Sequence, residues 1–152
     1  MMVSEDVRTL YQDVILRHAR NPEHRRALDP FDTQAAGDNP MCGDRCTVRV
    51  RFGEPHTLAE VAFEGRGCAI SMASADLMAG VVQGRSIDDV RDMAAAFTTL
   101  AKTGTTTAGD DAMEQLRPLS GVAEYPSRVK CATLPWAALI AALDGAKEAT
   151  SE

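Results

Sequence analysis

Residues 45–64 read RCTVRVRFGEPHTLAEVAFE, and the alternation in this stretch decides the fold. Cys46, Val48, Val50 and Phe52 fall on one side of an extended chain, and Arg45, Thr47, Arg49 and Arg51 on the other. Successive strand side chains point to opposite faces, so this is a half-buried strand. Gly53, Glu54 and Pro55 supply a turn, and residues 58–64 form the second arm of a hairpin. Upstream, residues 22–40 read as a long polar connection broken by prolines, with a short strand expected near residues 33–36.

Helices surround the hairpin. Residues 4–19 form one: Ser4 is the N-cap, Glu5 and Asp6 suit the positive end of the dipole, and Val7, Leu10, Tyr11, Val14 and Ile15 make its apolar face. Asn21 and Pro22 stop it. Gly65 and Gly67 bend the chain just before Cys68, and a helix of small and apolar residues follows over 69–82, closing near Gly84. Ser86 with Asp89 resembles a capping box opening a helix over 87–100. Residues 103–109 read as a loop and residues 110–116 as a short helix, after which Pro118, Gly121 and Pro126 break the chain. Cys131 leads into the last helix, with Pro135 in its first turn and Trp136, Leu139, Ile140 and Leu143 as its stripe. The class is α+β, a small antiparallel sheet packed against several helices, with residues 1–152 as one domain.

A net charge of −6 argues against a nucleic-acid partner, which needs a basic stripe to displace counterions. No apolar run is long enough to span a membrane, and residues 1–11 carry acids rather than a signal-type apolar core. A cytoplasmic protein is expected.

In that compartment the four cysteines ask for a metal or catalytic reading rather than disulfides. Cys42 lies in a turn-forming run, Cys68 between a strand and a helix, and Cys131 just ahead of a helix. A helix start favours thiolate over thiol, and Arg66, Arg128 and Lys130 add positive charge nearby. Asp44 completes a set of four. Three thiolates and a carboxylate suit tetrahedral zinc, while three thiolates also suit iron and sulfide. A free cysteine can equally be a small buried hydrophobe. Cys46, on the apolar strand face, is read that way.

Asn39-Pro40-Met41-Cys42-Gly43-Asp44, Gly67-Cys68-Ala69-Ile70-Ser71 and Lys130-Cys131-Ala132-Thr133-Leu134-Pro135-Trp136 resemble the three cysteine motifs of the IscU/SufU iron–sulfur cluster assembly proteins. The N-terminal helix with Tyr11 and Asn21-Pro22 is similar too, so the resemblance runs from about Val7 to Leu143. Lys130 stands where IscU-type chains have histidine, and the segment around 85–117 is longer than theirs, which favours the SufU branch.

The resemblance implies a SufE/IscU-like fold and zinc held by Cys42, Asp44, Cys68 and Cys131. It implies a zinc-dependent sulfurtransferase role, in which Cys42 accepts persulfide sulfur from a SufS-type pyridoxal-phosphate cysteine desulfurase and works with other Suf assembly proteins. Arg128 matches an arginine that the branch places near the metal, where it would balance the charge of the ligands. The alternatives are a scaffold carrying iron or a transient [2Fe–2S] cluster, and a partner-binding protein with purely structural zinc. His18, His24 and His56 lie outside the motifs and are read as surface residues. Asp38 is read as loop-solvated, and Arg49 and Arg51 as a solvated strand face.

Overall fold

The computed structural model describes residues 5–106 and 111–150. Helix α1 (Glu5–Arg20) leads through a long connection to strands β1 (Thr33–Asn39), β2 (Asp44–Gly53) and β3 (Thr57–Arg66). Helices α2 (Ala69–Val82), α3 (Ile87–Thr103) and α4 (Asp111–Leu116) follow. A 3-10 segment (Arg117–Glu124), helix α5 (Pro126–Leu143) and strand β4 (Glu148–Thr150) complete the order. The expected antiparallel trio is present, and β4 adds a parallel pairing to β1, giving a mixed sheet ordered β3-β2-β1-β4. The expected class, α+β, holds. Ser4 lies outside the described residues, as do the side chains of Val7 and Leu10.

Cys46, Val48 and Val50 are fully buried, as the alternation requires. Across the sheet Val48 faces Phe63 and Ala35, and Val50 faces Val61. Helices α2 and α5 cover this face. Burying Val48 or Val50 contributes about 1.5–3 kcal/mol each. Ser74 Oγ in α2 donates to the Ala132 carbonyl of α5 at 2.5 Å, and Phe97 of α3 stacks on Trp136 at 5.0 Å. These contacts fix α5 against both neighbouring helices.

Three expectations about polar residues are corrected. His18 is no surface residue: its Nδ1–H donates to Asp76 Oδ2 at 2.6 Å, and the His24 backbone N–H donates to Asp76 Oδ1 at 2.8 Å. Asp76 is buried in α2, so it needs both donors, and they tie α1 and the following loop to that helix. Arg49 and Arg51 are not simply solvated. Arg49 covers the Phe31 ring at 4.5 Å and donates to the Gln34 side chain at 3.0 Å; Arg51 donates to the Pro30 carbonyl at 2.9 Å. They strap the long connection across the outer face of the sheet. Asp38 sits on β1 and pairs with Arg45 rather than lying in a loop. Only His56 is fully at the surface, in the β2–β3 turn.

Burial pushes the Cys46 thiol from 9.0 up to about 12. A raised pKa means that its stabilising share is whole below pH 9 and is lost as pH climbs toward 12. Urea unfolding of the protein and of Cys46→Ala at pH 7.5 and 10.5 should show the parent losing about 2 kcal/mol more than the variant. Equal losses would contradict this.

Gly65 pairs with Cys46 at positive φ (152°), and a Cβ there would lie 2.0 Å from the Arg45 carbonyl oxygen. Gly65→Ala should therefore destabilise the fold by about 2–3 kcal/mol, read as a lower denaturation midpoint.

Candidate metal centre

The three cysteine motifs meet at one end of the sheet. Asn39 ends β1 and Asp44 opens β2, and the two are register partners. The turn between them is tied by the Cys42 and Gly43 N–H groups, which donate to the Asn39 carbonyl at 3.1 and 2.9 Å. Cys42 is thereby presented outward and is exposed. Cys68 caps the start of α2, as expected. Its N–H donates to Asp44 Oδ1 at 3.1 Å. Gly67 allows that approach, since a Cβ on it would sit 2.7 Å from the same oxygen.

The expected position of Cys131 is corrected. Helix α5 begins at Pro126, so Cys131 lies more than a turn inside it, and Pro135 is interior rather than in the first turn. Cys131 is fully buried. The Asn39 side-chain amide faces its sulfur at 4.0 Å, and the thiol meets the Ser127 carbonyl at 3.8 Å. Burial first, then the Asp44 carboxylate and the charge of Cys68, push this thiol well above its ordinary range. The helix N-terminus expected beside Cys131 lies more than a turn away, so its dipole does not favour the thiolate there.

Ligand atoms of Cys42, Asp44 and Cys131 all lie within 4.8 Å of one another. The Cys68 sulfur stands outside this compact group but beside it. The Arg128 guanidinium reaches both Cys131 and Cys68, and those sulfurs hold its proton more firmly than usual. Lys130 is exposed. Asp44 is 2% exposed, and its Oδ2 is buried without a hydrogen-bond partner. A buried carboxylate oxygen left in that state requires a compensating group, and a cation is the one its sulfur neighbours also call for. The residues therefore fit a zinc site: sulfur and carboxylate donors converge, and no histidine is needed. Asn39 is the neighbour sequence reasoning passed over. It was visible only as the first letter of a turn, and nothing in spacing alone places its amide beside a cysteine of α5.

No helix among the described residues is long and apolar enough to cross a membrane. The NifU-like N terminal domain family matches residues 10–132. The chain is 33% identical over 141 residues to the zinc-dependent sulfurtransferase SufU of Bacillus subtilis, covering 91% of this chain and 92% of that one. It is 35% identical over 130 residues to the iron–sulfur cluster assembly scaffold protein IscU of Streptococcus pyogenes, covering 86% and 80%. Among solved structures it resembles one from Fervidobacterium islandicum described as an iron–sulfur cluster assembly scaffold for the SUF system. There the TM-score is 0.79 at 27% identity, covering 89% of this chain and 97% of the other.

Proposed function

The chain belongs to the family of the NifU-like N terminal domain, and from that premise we propose that it is a zinc-binding iron–sulfur cluster assembly protein that accepts persulfide sulfur from a SufS-type cysteine desulfurase. The observation that carries the reading is the convergence of Cys42, Asp44 and Cys131, with Asp44 Oδ2 buried and unpartnered. Cys42, Asp44, Cys68 and Cys131 would hold the ion. Bound zinc would supply the positive charge that lets neighbouring sulfurs stay deprotonated.

The chain's own residues divide the remaining work. Cys42 is the exposed member of the group, so it is the sulfur that a visiting protein can reach. Its deprotonated sulfur attacks the terminal sulfur of the donor persulfide. The donor's S–S bond breaks, the donor departs as a thiolate, and Cys42 carries the persulfide. Cys131, fully buried, anchors the site from α5. Arg128 places a fixed cation against the Cys131 and Cys68 sulfurs, offsetting charge that would otherwise accumulate there. We read residues 1–152 as one such domain working in the reducing cytoplasm, where these cysteines stay unpaired.

Metal analysis of the purified protein, joined to a desulfurase assay with and without it, tests the proposal. Colourless protein with zinc and a faster desulfurase is expected. The scaffold reading draws on the Streptococcus relative. Brown protein containing iron and sulfide, with no effect on the desulfurase, would establish that reading instead.

A further inference from the structure

Asn39 is 2% exposed, the last residue of β1 and the register partner of Asp44. Ala35, Gly37 and Asn39 alternate onto the sheet's inner face, opposite Val48, Cys46 and Asp44. Helix α5 comes close to that face because Gly37 has no side chain: a Cβ there would stand 2.8 Å from Leu134 Cδ1. Leu134 follows Cys131 by three residues, so the two share one side of α5. The approach that brings Leu134 onto Gly37 also brings Cys131 onto Asn39.

A buried amide needs hydrogen-bond partners. Among the described residues, the Asn39 side chain makes one hydrogen bond, from Nδ2 to the Cys131 sulfur at 4.0 Å. That sulfur has two contacts of opposite character. Toward the Ser127 carbonyl at 3.8 Å it donates, since a carbonyl only accepts. From Asn39 it accepts, since an amide N–H only donates. The Ser127 contact therefore lasts only while Cys131 keeps its S–H, and a cysteine that binds a metal has given that hydrogen up. The Asn39 contact survives the change and is strengthened by it, because the acceptor then carries charge. At its other end, the Asn39 main-chain carbonyl accepts from the Cys42 and Gly43 N–H groups at 3.1 and 2.9 Å. One residue thus grips the buried sulfur with its side chain and the turn of the exposed sulfur with its main chain.

We propose that Asn39 is a positioning residue of the centre: its amide holds the Cys131 sulfur in the form that binds metal, while its carbonyl fixes the turn that carries Cys42. The inference rests on the zinc reading above and adds a residue that is not itself a ligand. Partners of this kind orient a ligand atom, and losing one costs about 10–100-fold in metal affinity.

The test compares Asn39→Leu and Asn39→Ala with the parent. Both keep the main-chain carbonyl and remove the amide, the first with little change of shape and the second by truncation. Chelator competition gives zinc affinity. Cobalt(II) in place of zinc gives a sulfur-to-cobalt charge-transfer absorption that reports on the sulfurs, and thermal melts in EDTA show that the metal-free variants fold. Each folded variant should bind zinc about 10–100-fold more weakly than the parent. Its cobalt absorption should be displaced in energy, because a ligand sulfur has lost the hydrogen bond that it accepts. A folded variant with the parent's zinc affinity would overturn the proposal. So would weaker binding with the cobalt absorption unmoved, or failure of both variants to fold, since Asn39 would then serve the fold alone. A parent that takes up neither metal would overturn the zinc reading and the role of Asn39 with it.

Discussion

Cys42→Ala is expected to lower stimulation of a SufS-type desulfurase by at least about two orders of magnitude, because the nucleophile itself is removed. No other cysteine can substitute. Cys46 is sealed in the core on the sheet's inner face, and burial holds its thiol neutral. Cys131 is fully buried, and Cys68 is only partly exposed at the start of α2. Cys42 alone sits in an exposed turn. The measurement is alanine release by the desulfurase, paired with mass spectrometry for an added sulfur atom. Cys46→Ala, run beside it, should leave stimulation intact. Full stimulation by Cys42→Ala would end the relay.

Asp44→Asn should cut zinc affinity by about two to three orders of magnitude, one ligand's share of the roughly 10–16 kcal/mol typical of structural zinc. The substitution is close to isosteric. It keeps an oxygen to accept the Cys68 N–H at 3.1 Å, so the start of α2 stays in place. What it removes is the charge on a carboxylate whose second oxygen is buried without a partner. Metal-free protein should therefore be no less stable with asparagine than with aspartate, since the buried charge that lacked compensation is gone. Chelator competition gives the affinity, and thermal melts in EDTA give the metal-free comparison. A variant that binds zinc as the parent does would exclude Asp44 from the ligand set. Gly67→Ala approaches the same carboxylate from outside, because its Cβ would stand 2.7 Å from Oδ1.

The parts of the fold that declared themselves in sequence are those governed by local periodicity. Cys46, Val48 and Val50 alternate in the chain and are buried in the structure. Helix α2 falls on the expected residues, and Ser86 Oγ accepts from the Asp89 N–H at 3.1 Å as the capping pattern requires. Misreadings came where one residue type permits two structures. Pro126 reads in sequence as a breaker, yet proline at the first helical position starts α5, so the helix begins five residues before Cys131. Strand β4 is three residues long, too short for alternation to register, and it exists because β1 offers it an edge. The His18–Asp76 contact spans 58 positions and has no local signature. The site was legible differently. Its ligands are scattered through the chain, so spacing could not join them, and the three quoted motifs together supplied what periodicity could not. The resemblance did not reveal that Cys68 stands slightly apart from the other donors, nor that Cys131 is the one sealed from water.

That early start of α5 has a mechanical consequence. Arg128 and Cys131 are three residues apart on one continuous rod, so the gap between guanidinium and sulfur is set by helical pitch rather than by any loop. Such a ruler tolerates a change of side chain better than a change of count. One residue inserted between them would rotate Arg128 by about 100° and swing it off the sulfurs, even though every original side chain remained. Residues 125–131 are transplantable between scaffolds only as an unbroken block.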